Sequence, residues 1–154
     1  MNLKLKILII SIGIVISILI SGCVEEKPEE KIKITIMTQC KDNTTKILMY
    51  DGENYDKILN ESMKIVNSAS KKIQLLVPEE IKNETISESC VELTFSKTIN
   101  ISTREVENFS AKKIIIVLSG KYKDMIFIYD GKYWNTQGSD VSTDRLLSLT
   151  KCYL

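Results

Sequence analysis

Residue patterning predicts an α+β fold: an antiparallel or mixed β-sheet with a main amphipathic helix (about 54–72) and a short C-terminal helix (about 142–152) on one face. Three observations lead there. Val91, Leu93, Phe95, Ile99 and Ile101 alternate with Glu92, Thr94, Ser96, Thr98 and Asn100, the period-2 signature of a strand with one buried and one wet face. Met125–Tyr129, then Asp130-Gly131, then Lys132–Asn135 reads as two strands joined by a hairpin turn. Tyr55, Ile58, Leu59, Ser62, Met63, Val66 and Ala69 recur at the three-to-four-residue spacing of one helix face.

The remaining elements fit around these. Ile32, Ile34 and Ile36 alternate with Lys33, Thr35 and Met37, and the inward phase continues to Thr38 and Cys40. A polar loop over 41–45 leads to a second short strand, Lys46–Tyr50, so the pair reads as a hairpin. Asn54 is placed to cap the main helix, which should stop near Lys71-Lys72. Ile73–Val77 is a brief apolar strand ended by Pro78, and the Glu-rich stretch up to Ser89 reads as loop. Ile114–Leu118 is a near-continuous apolar run suited to a central strand. Asp140 or Ser142 is placed to cap a closing helix carrying Leu146, Leu147 and Leu149. Strands and helices segregated in this order argue for α+β rather than alternating α/β.

The chain of 154 residues divides into a signal segment (1–22), a flexible tether (23–31) and a single extracytoplasmic domain (32–154), a size that supports one core. Lys4 and Lys6 precede an unbroken apolar and small-residue run, the charged and apolar regions of an export signal. The run is also just long enough to remain as an uncleaved anchor helix. Val24–Lys31 is a Glu/Lys/Pro tether with too little apolar surface to fold, reaching at most about 25 Å. Lysines before the run and Glu25, Glu26, Glu29 and Glu30 after it put the domain outside under either reading.

Where the run ends, Ile20-Ser21-Gly22-Cys23 resembles the lipobox of lipoprotein precursors. That resemblance implies acylation of Cys23, which becomes the first residue after cleavage. Asn-X-Ser/Thr sequons begin at Asn43, Asn60, Asn83, Asn100 and Asn108, more than the content of these residue types places by chance. Together the two features resemble an archaeal cell-surface lipoprotein precursor. The resemblance is to a class of precursor and not to a domain family. It implies a glycosylated protein anchored at the extracytoplasmic face of the cell membrane, through lipid or the N-terminal helix.

Composition excludes much chemistry. There is no histidine, so Ser-His-Asp and Cys-His nucleophile activation, imidazole metal sites and a histidine pH switch are all absent. A formal charge of +1 without a basic block gives no electrostatic footprint for nucleic acid. With Cys23 set aside, Cys40, Cys90 and Cys152 allow one disulfide and one leftover thiol, in three pairings that spacing does not separate. Neither metal nor cofactor is expected.

Asp130, Asp140 and Asp144 are close enough in sequence to meet near one loop, each with an ordinary role as turn residue, cap or first-turn residue. Adjacent Tyr133 and Trp134 must point to opposite sheet faces if their strand is regular, which makes one of them a candidate contact for a ligand or partner. The expected function is a non-enzymatic binding or envelope-support domain whose partner is an envelope protein or glycan. The alternatives are a carboxylate-based surface hydrolase and an accessory subunit of a larger envelope complex.

Overall fold

The computed structural model describes residues 31–48, 50, 52, 54–73, 88–103 and 108–152. Apart from Lys31, the expected tether lies outside the described residues, as do the expected signal segment, Asn83 and residues 74–77 of the expected strand after the main helix. Among the described residues, the domain over 32–154 carries seven strands and two helices. These are β1 (Ile34–Gln39), β2 (Thr45–Leu48), α1 (Tyr55–Asn67), β3 (Ala69–Ile73), β4 (Cys90–Ile101), β5 (Phe109–Val117), β6 (Met125–Tyr129), β7 (Trp134–Ser139) and α2 (Asp144–Thr150). They form one sheet in the order β2-β1-β4-β5-β6-β7-β3, and every neighbouring pair is antiparallel. The fold is α+β, with both helices packed into the same core on one side of the sheet.

Alternation determines which residues face the helices. Ile36 of β1, Val91, Leu93 and Phe95 of β4, Ile114 and Ile116 of β5, and Ile126 and Ile128 of β6 form one cluster with Tyr55, Ile58, Ile65 and Val66 of α1 and Leu146 of α2. On the opposite face Cys90, Ile115, Val117 and Phe127 make a second, smaller cluster, with Met125, Tyr122 and Trp134 against it. The apolar run of β5 therefore follows from burial on both faces.

The helix ends differ in part from expectation. The main helix ends at Asn67, and Ala69–Ile73 extends as β3 instead of completing the helix to 72. There the Ser68 hydroxyl donates to the Ile65 carbonyl at 2.7 Å, an alternative partner that competes with continued helix, and β7 offers a ladder to pair with. Asn54 occupies the N-cap position without a side-chain cap bond. Neither Asp140 nor Ser142 is the N-cap of α2; that residue is Thr143.

The N-terminus of α2 is held from another part of the chain. Asp124, in the tight turn before β6 and at φ 67, accepts the Thr143 backbone N–H at 2.9 Å and the Thr143 hydroxyl at 2.7 Å through one carboxylate oxygen. Aspartate is among the few residues other than glycine that tolerate this left-handed conformation. Beside it the Ser142 hydroxyl accepts the Asp144 N–H at 3.2 Å. Glu61 of α1, nearly buried, lies 3.4 Å from Arg145 of α2 and links the two helices.

Three buried hydroxyls among the described residues carry no hydrogen-bond partner: Thr38 (1% exposed) on β1, Ser62 (0% exposed) on α1 and Thr136 (2% exposed) on β7. An unpartnered buried hydroxyl costs about 1–3 kcal/mol. Thr38→Val, which keeps the shape and removes the hydroxyl, is therefore expected to stabilise the domain by about 1 kcal/mol. A urea midpoint at or below that of the wild type would refute the assignment of Thr38 as an unsatisfied group.

Candidate functional site

The candidate residues fall at two ends of the sheet. Strand directions follow from the registers: Ile34 of β1 lies opposite Phe95, and Tyr129 of β6 lies opposite Lys113, so the β6–β7 turn is at the end where β1 begins. Cys40, Asp124, Asp140 and the start of α2 are at the other end.

At the first end Asp130 closes the hairpin. One of its carboxylate oxygens accepts the backbone N–H groups of Lys132 and Tyr133, each at 2.7 Å. Those bonds hold its pKa below the ordinary carboxylate value, the Tyr133 N–H contributing most. Gly131 follows at φ 108, a conformation that favours glycine. Tyr133 is 59% exposed, with the Lys132 ammonium 4.9 Å from its ring centre. Trp134 is half-buried and stacks on Tyr129 at 5.1 Å between ring centres, beside the second cluster. The two adjacent aromatics thus divide between a wet ring and a packing ring.

At the far end Asp140 accepts a hydrogen bond from the Ser70 hydroxyl. Asp144 pairs with Lys123 at 2.6 Å and accepts from Ser142 at 2.8 Å. The Lys123 bond, then the Ser142 bond, lowers its pKa. The structure does not bring the three acids together. Asp130 and Asp140 flank the six residues of β7, a span of about 20 Å for extended chain, and each acid has separate partners. Among the described residues there is no group of three or more His, Cys, Asp or Glu arranged to hold a metal ion.

Asp140 instead borders an open groove of about 760 Å³ between the second half of α1, the start of β3 and the β7–α2 connection. Hydroxyls and amides (Ser68, Ser70, Asn60, Asn67) and one charge of each sign (Lys64, Asp140) line it over Met63 and Val141. The lining thus offers hydrogen-bonding groups beside apolar side chains. Sequence spacing does not show this groove, because β3 joins β7 only through long-range pairing.

Cys40 is joined to Cys152, with the Cα atoms 5.1 Å apart and 112 residues between them. Cys90 remains a thiol, buried on the other sheet face. Burial, with the nearby Glu92 charge, pushes its pKa up to about 12, so it stays protonated and unreactive. Of the sequon asparagines, Asn43, Asn60, Asn100 and Asn108 are all exposed. Asn43 lies in the β1–β2 loop at φ 64, Asn60 on α1 beside the groove, Asn100 on β4 and Asn108 just before β5. Cys23 lies outside the described residues, and among those described no helix is long and apolar enough to cross a membrane.

Comparison with known proteins finds no matching family model, no matching curated protein and no matching solved structure.

Proposed function

We propose that this chain is an exported domain tethered to the extracytoplasmic face of the cell membrane through lipid on Cys23, where it binds or supports another envelope component and performs no chemistry of its own. The observation that carries this reading is the Cys40–Cys152 disulfide. Such bonds persist in oxidising compartments outside the cytosol, the destination implied by the lipobox-like Ile20-Ser21-Gly22-Cys23 and the charges around it. Exposure of all four described sequon asparagines agrees with use of those sites at a cell surface. Tyr133 at the hairpin tip and the groove beside Asp140 are the surfaces offered to a partner, an envelope protein or a glycan.

A carboxylate hydrolase is less well supported. Two-acid glycoside hydrolysis needs a pair of carboxyl groups flanking one bond, about 5 to 9.5 Å apart. Asp130 and Asp140 stand at opposite ends of β7, and Asp144 is engaged by Lys123.

The anchor is tested on membrane-extracted protein by intact mass. The expected species begins at Cys23 and carries lipid mass, and Cys23→Ser is expected to move the protein out of the membrane fraction or leave it unprocessed. Full membrane retention and unchanged processing of Cys23→Ser would show that the lipobox resemblance is coincidental.

A further inference from the structure

β4 and β5 run past the sheet around them. β1 accompanies β4 only as far as Ile34 opposite Phe95, and β6 accompanies β5 only as far as Tyr129 opposite Lys113. Beyond an irregularity between Thr94 and Ile99, the two strands continue as a ribbon: Ile99 opposite Ala111, Asn100 opposite Ser110, Ile101 opposite Phe109. Ile101 and Ala111 turn into the helix-side core. Strand alternation puts Asn100, Ser102, Asn108 and Ser110 together on the other side, and all four are exposed.

Two sequons therefore face each other head to tail, one per strand. The Ser110 hydroxyl donates to the Asn100 side-chain carbonyl at 3.1 Å, and the Ser102 hydroxyl donates to that of Asn108. Each sequon's hydroxyl is engaged by the asparagine of the other. We propose that Asn100 and Asn108 form one coupled N-glycosylation site, which accepts a single glycan on the folded ribbon.

The proposal rests on the exported-surface reading, because it needs a membrane transferase and a lipid-phosphate-linked saccharide donor. In the transfer, the asparagine carboxamide nitrogen bonds to the anomeric carbon of the sugar. The bond from that carbon to the phosphate oxygen breaks, the lipid phosphate leaves, and the amide proton passes to a base. The asparagine carbonyl survives this step. Glycosylated Asn100 can thus still accept the Ser110 hydroxyl, which keeps the second sequon's hydroxyl engaged. The asparagines are diagonal neighbours, with about 7–8 Å between such positions, so the first saccharide also covers the approach to the second. The same holds with the two asparagines exchanged.

The test uses the full chain from a cell that exports and N-glycosylates it, digested with a protease that cuts after lysine. The peptide Thr98–Lys112 contains no internal lysine and carries both asparagines, so its mass reads zero, one or two glycans on the same molecule. The expected result is a one-glycan peptide at either position, with the two-glycan form far below the product of the single-site occupancies. Ser102→Ala abolishes the Asn100 sequon and releases Asn108, whose occupancy should rise to the summed occupancy of the pair; Ser110→Ala should do the same for Asn100. A two-glycan peptide at the product of the single occupancies overturns the coupling, as does an Asn108 occupancy unmoved by Ser102→Ala. A bare Thr98–Lys112 peptide from a chain glycosylated at Asn43 or Asn60 also overturns it while leaving the surface reading intact. A chain without sugar at any sequon overturns the coupled site and leaves the Cys23 anchor to its own test.

Discussion

Replacing Cys40 and Cys152 together with alanine is expected to destabilise the domain by about 3–5 kcal/mol, the range set by the entropy of a loop exceeding 100 residues. The bridge closes 112 residues of chain. For a domain whose whole stability is of order 5–15 kcal/mol, that is a large share, equivalent to a fall of about 15 °C in melting temperature. The location matters as much as the loop length. α2 has seven residues, too few to be helical alone. It is held by Leu146 in the core, by Glu61 near Arg145, by Asp124 at its start and by the disulfide just past its end.

Thermal unfolding with and without reductant checks this. The wild type under reducing conditions should match the double variant, and the double variant should not respond to reductant. Alkylation in denaturant without reductant should modify one cysteine within 32–154, namely Cys90, and none in the folded protein, where the thiol is buried with a pKa near 12. An unchanged melting temperature on reduction, or a second accessible thiol, would refute the assigned pairing.

Tyr55→Ala should cost about 3–5 kcal/mol, the usual range for deleting a buried aromatic side chain. Tyr55 opens α1 and is 1% exposed. Its ring stands 5.3 Å from that of Tyr50, and its hydroxyl donates to the Ile34 carbonyl at 2.6 Å. β2 pairs with Ile36–Gln39 and stops short of Ile34, so the tyrosine extends the tie between α1 and the start of β1 where that ladder ends. Tyr55→Phe separates the two contributions. It keeps the ring and should lose only about 1 kcal/mol, the net value of one hydrogen bond. Equal urea midpoints for the two variants would mean that the ring contributes nothing beyond its hydroxyl, contrary to its burial.

The sheet, the main helix and the order of elements were legible because each is written in local periodicity. Val91–Ile101 alternates with Lys97 as its one interruption, where the ladder is irregular between Thr94 and Ile99, and the unbroken run of β5 follows from burial on two faces. The β6–β7 hairpin needed only Asp130-Gly131, since the turn's bonds run between residues two and three apart. One wet and one packed ring followed from the adjacency of Tyr133 and Trp134.

Other features were settled by partners distant in the chain. Local spacing carried the main helix to 72, yet Ala69–Ile73 found β7 and became an edge strand. Asp140 was a reasonable cap for α2 by proximity, but Ser70 holds it, and the N-cap residue is Thr143, which Asp124, nineteen residues earlier, anchors through two hydrogen bonds. Periodicity had no means of choosing among Cys40, Cys90 and Cys152. The sheet made the choice by turning Cys40 and Cys90 to opposite faces. The groove beside Asp140 and the facing sequons at Asn100 and Asn108 likewise exist only once strands are in register. By itself, then, the sequence determined element type and facing, because backbone geometry repeats every two or 3.6 residues. Which elements meet was decided only by tertiary structure, because hydrogen-bond ladders, a disulfide and cross-strand side-chain bonds depend on distance in space and not along the chain.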